Sequence, residues 1–294
     1  MILLDGNATA KAIQTEIAAQ VKQYTDQGQR APHLVAVLVG EDGASQAYVG
    51  NKVRSCEAVG FRSTLLHHPA TLSEADLLRL IESLNQNPEV DGFIVQLPLP
   101  KHISEEKVTL TIAPEKDVDG FHPDNIGRMV LGKDRFLPAT PAGILELLRR
   151  YAIPTSGQHA IVLGRSHIVG RPMSILLSRK GIDATVTLAH SRTHNLSSLL
   201  PKADIIVAAL GIPEFVRGSM VKEGAVVIDV GITRVADPSK KRGYVLKGDV
   251  DFEAAAEKAS YITPVPGGVG PMTVAALLQN TLRAYQKTYQ DFNN

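Results

Sequence analysis

The sequence predicts a two-lobed α/β protein in which one lobe is a Rossmann-type doubly wound parallel sheet and the other an α/β substrate or catalytic domain. Short apolar runs alternate with helical stretches along the 294 residues. The runs are apolar throughout, which is typical of parallel strands covered by helices on both faces. We expect strands at 34–39, 92–97, 160–163, 184–188, 205–210 and 225–230.

Helix signals separate these strands. Ser73 with Asp76 resembles a capping box that begins the helix following residue 73. Pro141 is expected as the first residue of a helix, and the last helix is expected from about 273 to 289. The segment 114–140 is rich in Asp, Gly and Pro and marks a domain boundary. We therefore expect one domain from 1–139 with 272–294, a second from 140–271, and a ligand cleft between them.

Composition excludes several classes of function. The net charge is +1 and no basic run is long enough for nucleic acid. No apolar stretch has membrane-spanning length, and the N-terminus lacks the basic start of a secretory signal. Cys56 is the only cysteine, so we expect a small buried side chain and a reducing, cytoplasmic environment. His190 and His194 follow a strand end, so no metal site is expected. No internal repeat is visible.

A dinucleotide site is predicted after the strand at 160–163. Gly164 ends the strand, Gly170 follows six residues later, and the Arg171-Pro172 pair begins a helix. This order of strand, glycine loop and helix N-terminus is the phosphate-binding arrangement of doubly wound folds. A tight turn without a ligand is the alternative.

The next strand indicates which dinucleotide binds. NAD-binding folds place an acid near this strand end to accept the ribose hydroxyls, whereas this chain has His190-Ser191-Arg192-Thr193. Arg165, Ser166, Ser191 and Arg192 instead offer donors for a 2′-phosphate. The expected cofactor is therefore NADP, unless these arginines are only solvated surface charges.

Four further residues suggest chemistry in the first half. Tyr48 and Lys52 lie four residues apart, so a helix would place a phenol and an amine on one face, as proton transfer requires. Gln96 ends a buried strand, where ligands of open α/β sheets bind. Asp119 is the second acid of a DVDGF loop and suits a ligand ring with N–H donors. The alternatives are a solvated lysine, a backbone-bonded amide and a surface turn.

Several long segments occur in the order found in one known family. The chain resembles the bifunctional methylenetetrahydrofolate dehydrogenase/methenyltetrahydrofolate cyclohydrolase family over essentially its whole length. The matching segments are SQAYVGNKVRSCEAVGF, DGFIVQLPLP, PEKDVDGFHPDNIG, LGRSHIVGRPM, DVGI, KGDVDF and ITPVPGGVGPMT. The resemblance implies a homodimer that oxidises 5,10-methylenetetrahydrofolate with NADP and then hydrolyses the 5,10-methenyl product to 10-formyltetrahydrofolate. It also implies that 1–139 with 272–294 binds folate and that 140–271 binds NADP.

The resemblance also implies roles for individual residues. Lys52 is the implied catalytic acid and base, Tyr48 its partner at the substrate, and Gln96 the residue that hydrogen-bonds the lysine. The implied substrate-binding residues are Tyr48, Asp119, Gly267, Gly268 and Val269. The implied cofactor-binding residues are Gly164, Arg165, Ser166, Gly170, Ser191, Arg192 and Ile232.

Two other functions fit the same layout of strands and helices. One is a two-lobed NADP-dependent dehydrogenase of another small substrate, of the shikimate type. The other is a non-enzymatic NADP-binding sensor, which would need no buried lysine. A short-chain dehydrogenase also uses Tyr-x-x-x-Lys, but there the glycine loop precedes the pair, whereas here Lys52 precedes Gly164.

Overall fold

A computed structural model describes residues 1–41, 43–133, 135–240 and 243–292. The strands are β1 (Ile2–Leu3), β2 (His33–Val39), β3 (Arg62–His68), β4 (Gly92–Val95), β5 (His159–Leu163), β6 (Thr185–Ala189), β7 (Ile205–Ala208), β8 (Val226–Asp229), β9 (Thr233–Ala236), β10 (Tyr244–Lys247) and β11 (Tyr261–Ile262). The helices are α1 (Gly6–Asp26), α2 (Gly43–Ala58), α3 (Glu74–Gln86), α4 (Glu105–Thr111), α5 (Pro123–Val130), α6 (Ala139–Arg150), α7 (Gly170–Ser178), α8 (Leu196–Leu199), α9 (Phe252–Ala256) and α10 (Val269–Phe292).

The chain divides into two compact units. The six-strand unit comprises Met1–Ala10 and Thr140–Thr273, and the three-strand unit comprises Lys11–Ala139 and Val274–Asn294. Met1–Ala10 groups with the six-strand unit because β1 pairs with β11. The functional assignment of 1–139 with 272–294 and of 140–271 stays a prediction.

The six-strand unit has the predicted doubly wound sheet. Its strands lie in the order β1-β11-β8-β7-β5-β6, and all five pairings are parallel. From β5 the chain passes to β6 on one side and then to β7 on the other. The strand order therefore reverses between β5 and β7, where doubly wound folds bind their ligands. An antiparallel β9–β10 pair stands apart from this sheet.

The three-strand unit has a parallel sheet in the order β3-β2-β4. All seven residues of the central strand β2 are buried, as its unbroken apolar sequence predicts. Edge strand β3 is half exposed, and its sequence RSTLLHH carries no such run. The sequence reading therefore missed β3, and it missed the two-residue strands β1 and β11 because they are so short.

The predicted helix starts are close to those observed. Ser73 caps α3, with its side-chain oxygen accepting the N–H of Asp76. Helix α6 begins at Ala139, two residues before Pro141. Helix α10 begins at Val269, four residues before its predicted start. None of the helices in the described ranges is long and apolar enough to cross a membrane.

Candidate active site

The Tyr48–Lys52 pair lies on α2, as predicted. Lys52 is 4% exposed, and its Nζ lies 4.7 Å from the centre of the Tyr48 ring. An ammonium over an aromatic face is attracted by the negative potential of the ring. The alternative of a solvated lysine is therefore wrong, and the tyrosine contacts the amine through its ring.

Gln96 also contacts the amine of Lys52. Its Nε2 donates to the carbonyl of Leu97 (2.7 Å), and its Oε1 accepts from the Nζ of Lys52 (3.3 Å). The amide is therefore oriented by the backbone and presents an acceptor to the lysine. The backbone N–H of Gln96 donates to Val37 on β2, which fixes the residue at the carboxyl end of the sheet.

Burial controls the protonation of this site. Desolvation lowers the pKa of Lys52 from its usual value of 10.5, and the nearby carboxylate of Asp119 partly opposes that change. Burial also raises the pKa of the Cys56 thiol to about 12. The thiol stays neutral at physiological pH and behaves as the small buried side chain that the sequence predicts.

The loop that presents Asp119 is organised by its neighbour Asp117. The buried Asp117 carboxylate accepts N–H groups from Gly120 (3.2 Å), from His122 (2.7 Å) and from the side chain of Asn125 (2.9 Å). Burial raises the pKa of Asp117. The two acids of the DVDGF sequence thus differ, since Asp117 builds the loop and Asp119 stays half-buried beside the lysine.

A residue that sequence reasoning missed closes this loop. Asn280, on α10, donates through its side-chain amide to the carbonyls of Val118 (2.8 Å) and Leu137 (3.0 Å). Gly120 has φ +76°, and a Cβ there would lie 2.6 Å from the Leu137 oxygen. The available signal was the amide pair Gln279-Asn280 within the apolar run AALLQNTL, since a buried amide needs hydrogen-bond partners.

The glycine loop after β5 is a tightly packed turn. Gly164 has φ +110°, and a Cβ there would lie 2.1 Å from the carbonyl oxygen of Ala209. A Cβ on Gly170 would lie 1.9 Å from the carbonyl oxygen of Gly164. The Ser166 Oγ accepts the N–H groups of Val169 (3.2 Å) and Gly170 (3.3 Å). Both glycines are therefore required for the tight turn from β5 into α7, and this order of strand, glycine turn and helix start fits a dinucleotide.

The predicted 2′-phosphate donors lie beyond neighbouring strands. Leu163 of β5 pairs with Ala189 of β6, so Arg165 and Ser191 each follow that pair by two residues. Both side chains are exposed, as is that of Arg192. The parallel register therefore brings these donors to one edge of the sheet. The segment 190–193 at this edge has no acidic residue of the kind that binds the ribose in NAD sites.

The other predicted positions also follow strands of the six-strand unit. Ile232 comes three residues after β8 and is 56% exposed. Gly267 and Gly268 precede α10, whose first residue is Val269. Gly267 has φ +107°, and its carbonyl accepts the N–H of Asn7 (3.1 Å). The proline- and glycine-rich segment is thus a packed, irregular turn at a helix start.

Two models of one protein family match the chain. Residues 4–119 match the catalytic domain of tetrahydrofolate dehydrogenase/cyclohydrolase, and residues 138–289 match its NAD(P)-binding domain. The chain belongs to the tetrahydrofolate dehydrogenase/cyclohydrolase family.

Individual relatives agree with this family assignment. The bifunctional protein FolD of Flavobacterium johnsoniae is 61% identical over 286 residues, which are 97% of each chain. The solved bifunctional enzyme FolD of Campylobacter jejuni has a TM-score of 0.92 and 43% identity, over 98% of this chain and 99% of that one. The Trypanosoma brucei enzyme, solved with NADP cofactor and inhibitor, has a TM-score of 0.94 and 41% identity, over 98% of each chain.

Family membership confirms the main sequence prediction. The two-lobed α/β fold class, the tetrahydrofolate family and the pair of dehydrogenase and cyclohydrolase activities are confirmed. A nicotinamide dinucleotide cofactor is confirmed by the NAD(P)-binding domain. The bifunctional enzyme is therefore favoured over the shikimate-type dehydrogenase and the non-enzymatic sensor. The roles of single residues in the two steps stay predictions.

Proposed function

We propose that Lys52 is the acid and base of the cyclohydrolase step, with Gln96 and Tyr48 holding its amine. The observation that carries this proposal is the buried lysine itself, 4% exposed and hydrogen-bonded to an oriented amide within the catalytic-domain match. Burial lowers the pKa of Lys52, so the neutral amine that can accept a proton is more populated than in a solvated lysine.

The first step is the oxidation of 5,10-methylenetetrahydrofolate. When bound, NADP accepts the hydride that leaves the methylene carbon. The chain needs no proton transfer here, because the methenyl cation that remains is stabilised by its two nitrogens. The proposed task of the protein is alignment: Asp119 would accept N–H groups of the pterin ring, and Gly267, Gly268 and Val269 would contact the folate.

The second step is hydrolysis of the methenyl cation. Water attacks the bridging carbon, and neutral Lys52 accepts one of its protons. The lysine then returns that proton to the ring nitrogen as the carbon–nitrogen bond breaks, while the second water proton leaves to solvent. The product is 10-formyltetrahydrofolate. A cationic substrate disfavours an ammonium beside it, so its binding lowers the pKa of Lys52 further.

Lys52→Met separates the two activities. We expect the cyclohydrolase rate to fall by about 10²–10⁴ and the dehydrogenase rate to fall much less. Spectrophotometry with methylenetetrahydrofolate and NADP follows NADPH and the methenyl compound separately. Lys107→Met is the control, since Lys107 is an exposed residue of the same unit, paired with Glu74. Hydrolysis at the parent rate by Lys52→Met would contradict the assignment.

The same variant has a second readout in stability. A lysine whose pKa is lower in the folded state binds protons more weakly there than in the unfolded chain, so it destabilises the fold at neutral pH. Lys52→Met should therefore raise the melting temperature at pH 7. A variant that loses both hydrolysis and stability would indicate a structural lysine instead.

We further propose that the cofactor is NADP and that Arg165, Ser191 and Arg192 bind its 2′-phosphate. Arg165→Ser should raise the KM for NADP by about 10-fold or more, the loss expected for a charge-assisted hydrogen bond, and leave the KM for NAD nearly unchanged. Arg217→Ser, at another exposed arginine of the same unit, is the control. Equal use of NAD and NADP by the parent protein would contradict the proposal.

A homodimer in the cytoplasm, acting on tetrahydrofolate derivatives and on neither nucleic acid nor membrane, is also our proposal. Family resemblance supports the dimer, and the single buried cysteine, Cys56, suits a reducing compartment. Sedimentation equilibrium tests the dimer, and a single species of monomer mass at micromolar concentration would contradict it.

A further inference from the structure

Two buried aspartates lie at the carboxyl edge of the six-strand sheet, outside the predicted set of site residues. Asp229 is the last residue of β8 and Asp249 follows β10 by two residues. They are 4% and 0% exposed. Carboxylates this deeply buried require hydrogen-bond donors to compensate for their lost hydration. Their donors are backbone N–H groups from several loops.

Asp249 holds the loop that follows β7. Its Oδ2 accepts the backbone N–H groups of both Leu210 and Gly211 (2.9 Å for Gly211). Its Oδ1 makes no hydrogen bond to the residues that the structure describes and lies against Gly231, where a Cβ would be only 2.3 Å away. One carboxylate thus sets the spacing between the loops after β7 and β8.

Asp229 fixes Asp249 in turn. The Oδ1 of Asp229 accepts the N–H groups of Gly231 and Asp249, and its Oδ2 accepts that of Val250, all at 2.9 Å. The backbone N–H of Asp229 donates to the Thr263 hydroxyl (2.7 Å), just before the 264–268 turn. Burial raises the pKa of Asp229 to about 6, against the effect of these donors.

The loops held by this pair border the predicted cofactor site. A side chain at Gly164 would collide with the carbonyl of Ala209, so Ala209 packs against the glycine loop. The segment 210–211, which Asp249 holds, follows Ala209 directly. Ile232 directly follows Gly231. The strand order reverses between β5 and β7, and a dinucleotide would lie beyond these two strand ends.

We propose that Asp249, fixed by Asp229, is a positioning residue for NADP: it holds the loops after β7 and β8 at the separation that the dinucleotide requires. The proposal rests on the proposed NADP-binding function of this unit. Asp249 acts through the backbone of Leu210, Gly211 and Gly231 and not on the hydride or the folate.

Asp249→Asn tests the role with little change in volume. The Asn oxygen can still accept the N–H groups of Leu210 and Gly211, but an NH2 group then replaces Oδ1 against Gly231. Burying two N–H donors at a position where the carboxylate oxygen makes no hydrogen bond to the described residues should shift the loop after β8. Calorimetric titration should show NADP bound about 10-fold more weakly, with a matching rise in KM. We expect kcat at saturating NADP, and cofactor-free hydrolysis of methenyltetrahydrofolate, to stay within about twofold of the parent. Asp251→Asn is the control, since the Asp251 side chain caps α9 by accepting the N–H of Ala254.

Gly231→Ala tests the same spacing without removing a charge. Its added methyl would displace the Asp249 carboxylate, so NADP should again bind about 10-fold more weakly. This variant decides the question if Asp249→Asn fails to fold. Unchanged NADP affinity in Gly231→Ala, or an equal fall of both activities in Asp249→Asn, would overturn the inference. A parent protein that binds no NADP would overturn the proposed function instead.

Discussion

The two units contain the same three-strand arrangement, used for different chemistry. In each, the first strand is central, with the second on one side and the third on the other: β3-β2-β4 and β6-β5-β7. The central strand of each begins with a histidine, His33 or His159. The registers correspond, because His33 pairs with the first residue of β3 and His159 with the first residue of β6.

Each histidine joins the amino ends of its three strands. In the three-strand unit, the N–H of His33 donates to Asp91 Oδ2 (2.7 Å), before β4, and its Nε2 lies 2.9 Å from the hydroxyl of Thr64 on β3. Arg30 makes two 2.7 Å bonds to the same aspartate. We call this group the β2 clasp.

The six-strand unit has the equivalent group. The N–H of His159 donates to Asp204 Oδ2 (2.9 Å), before β7, and its Nε2 lies 3.0 Å from the hydroxyl of Thr187 on β6. Lys222 forms an ion pair with Asp204, as Arg30 does with Asp91 in the β2 clasp. We call this group the β5 clasp.

The carboxyl edges of the same strands differ completely. One carries Lys52 and Gln96, and the other carries Gly164 and Ser191. The clasps lie at the opposite edge from both, where parallel sheets do not place their ligands. In both units, therefore, buried polar groups at the amino edge hold strands together, while those at the carboxyl edge are available for chemistry.

The largest expected effect is at the carboxyl edge of the six-strand unit. Gly164→Ala forces an alanine into φ +110° and a Cβ to 2.1 Å from the Ala209 oxygen, so NADP affinity should fall by about 100-fold or more. Cofactor-free hydrolysis, for which we propose Lys52 as the acid and base, should persist. Gly181→Ala is the matched control, since Gly181 also has positive φ but open space around it. Loss of hydrolysis in Gly164→Ala would contradict the assignment of hydrolysis and NADP binding to separate units.

The clasps should affect stability and leave turnover unchanged. Asp91→Ala should lower the free energy of unfolding by about 3–5 kcal/mol, because it leaves the paired Arg30 without its fully buried partner. Asp204→Ala should lower it by only about 1 kcal/mol, since Asp204 and Lys222 are partly exposed. Urea unfolding measures both values. A changed kcat in a variant that remains folded would mean that a clasp reaches the chemistry.

The smallest expected effect is a pH dependence of the β2 clasp. Burial lowers the pKa of His33 from its usual 6.5, so the unfolded chain takes up this proton first and stability falls as pH falls below about 6.5. Asp229, with its pKa of about 6, acts in the opposite direction in parent and variant alike. The difference in unfolding free energy between the parent and His33→Gln, from pH 8 to 5.5, should therefore shrink towards low pH. A constant difference would contradict this prediction.

The sequence predicted the proposed catalytic and cofactor-binding residues better than the residues that hold their loops in place. The runs that became β2, β4, β5, β7 and β8 were visible because both faces of these strands are buried. Lys52, Gln96 and Gly164 stand directly after or between such runs. Asn280 and Asp249 were missed, because their partners lie far along the chain and are backbone groups. The likeness of the two clasps was also not visible in the sequence. Only a histidine, a threonine and an aspartate are common to both, and they lie far apart along the chain.

The sequence by itself determined the α/β class, the family and the side chains available at each strand end, because these follow from local patterns of apolar residues, glycine and charge. Only the tertiary structure decided which of them meet. It showed Lys52 buried against a tyrosine ring and an oriented amide, Asp117 building the loop of Asp119, and Asp249 linking two loops. Burial and the spacing between distant segments set pKa values and hydrogen-bond partners, and both arise only when the strands are brought into register.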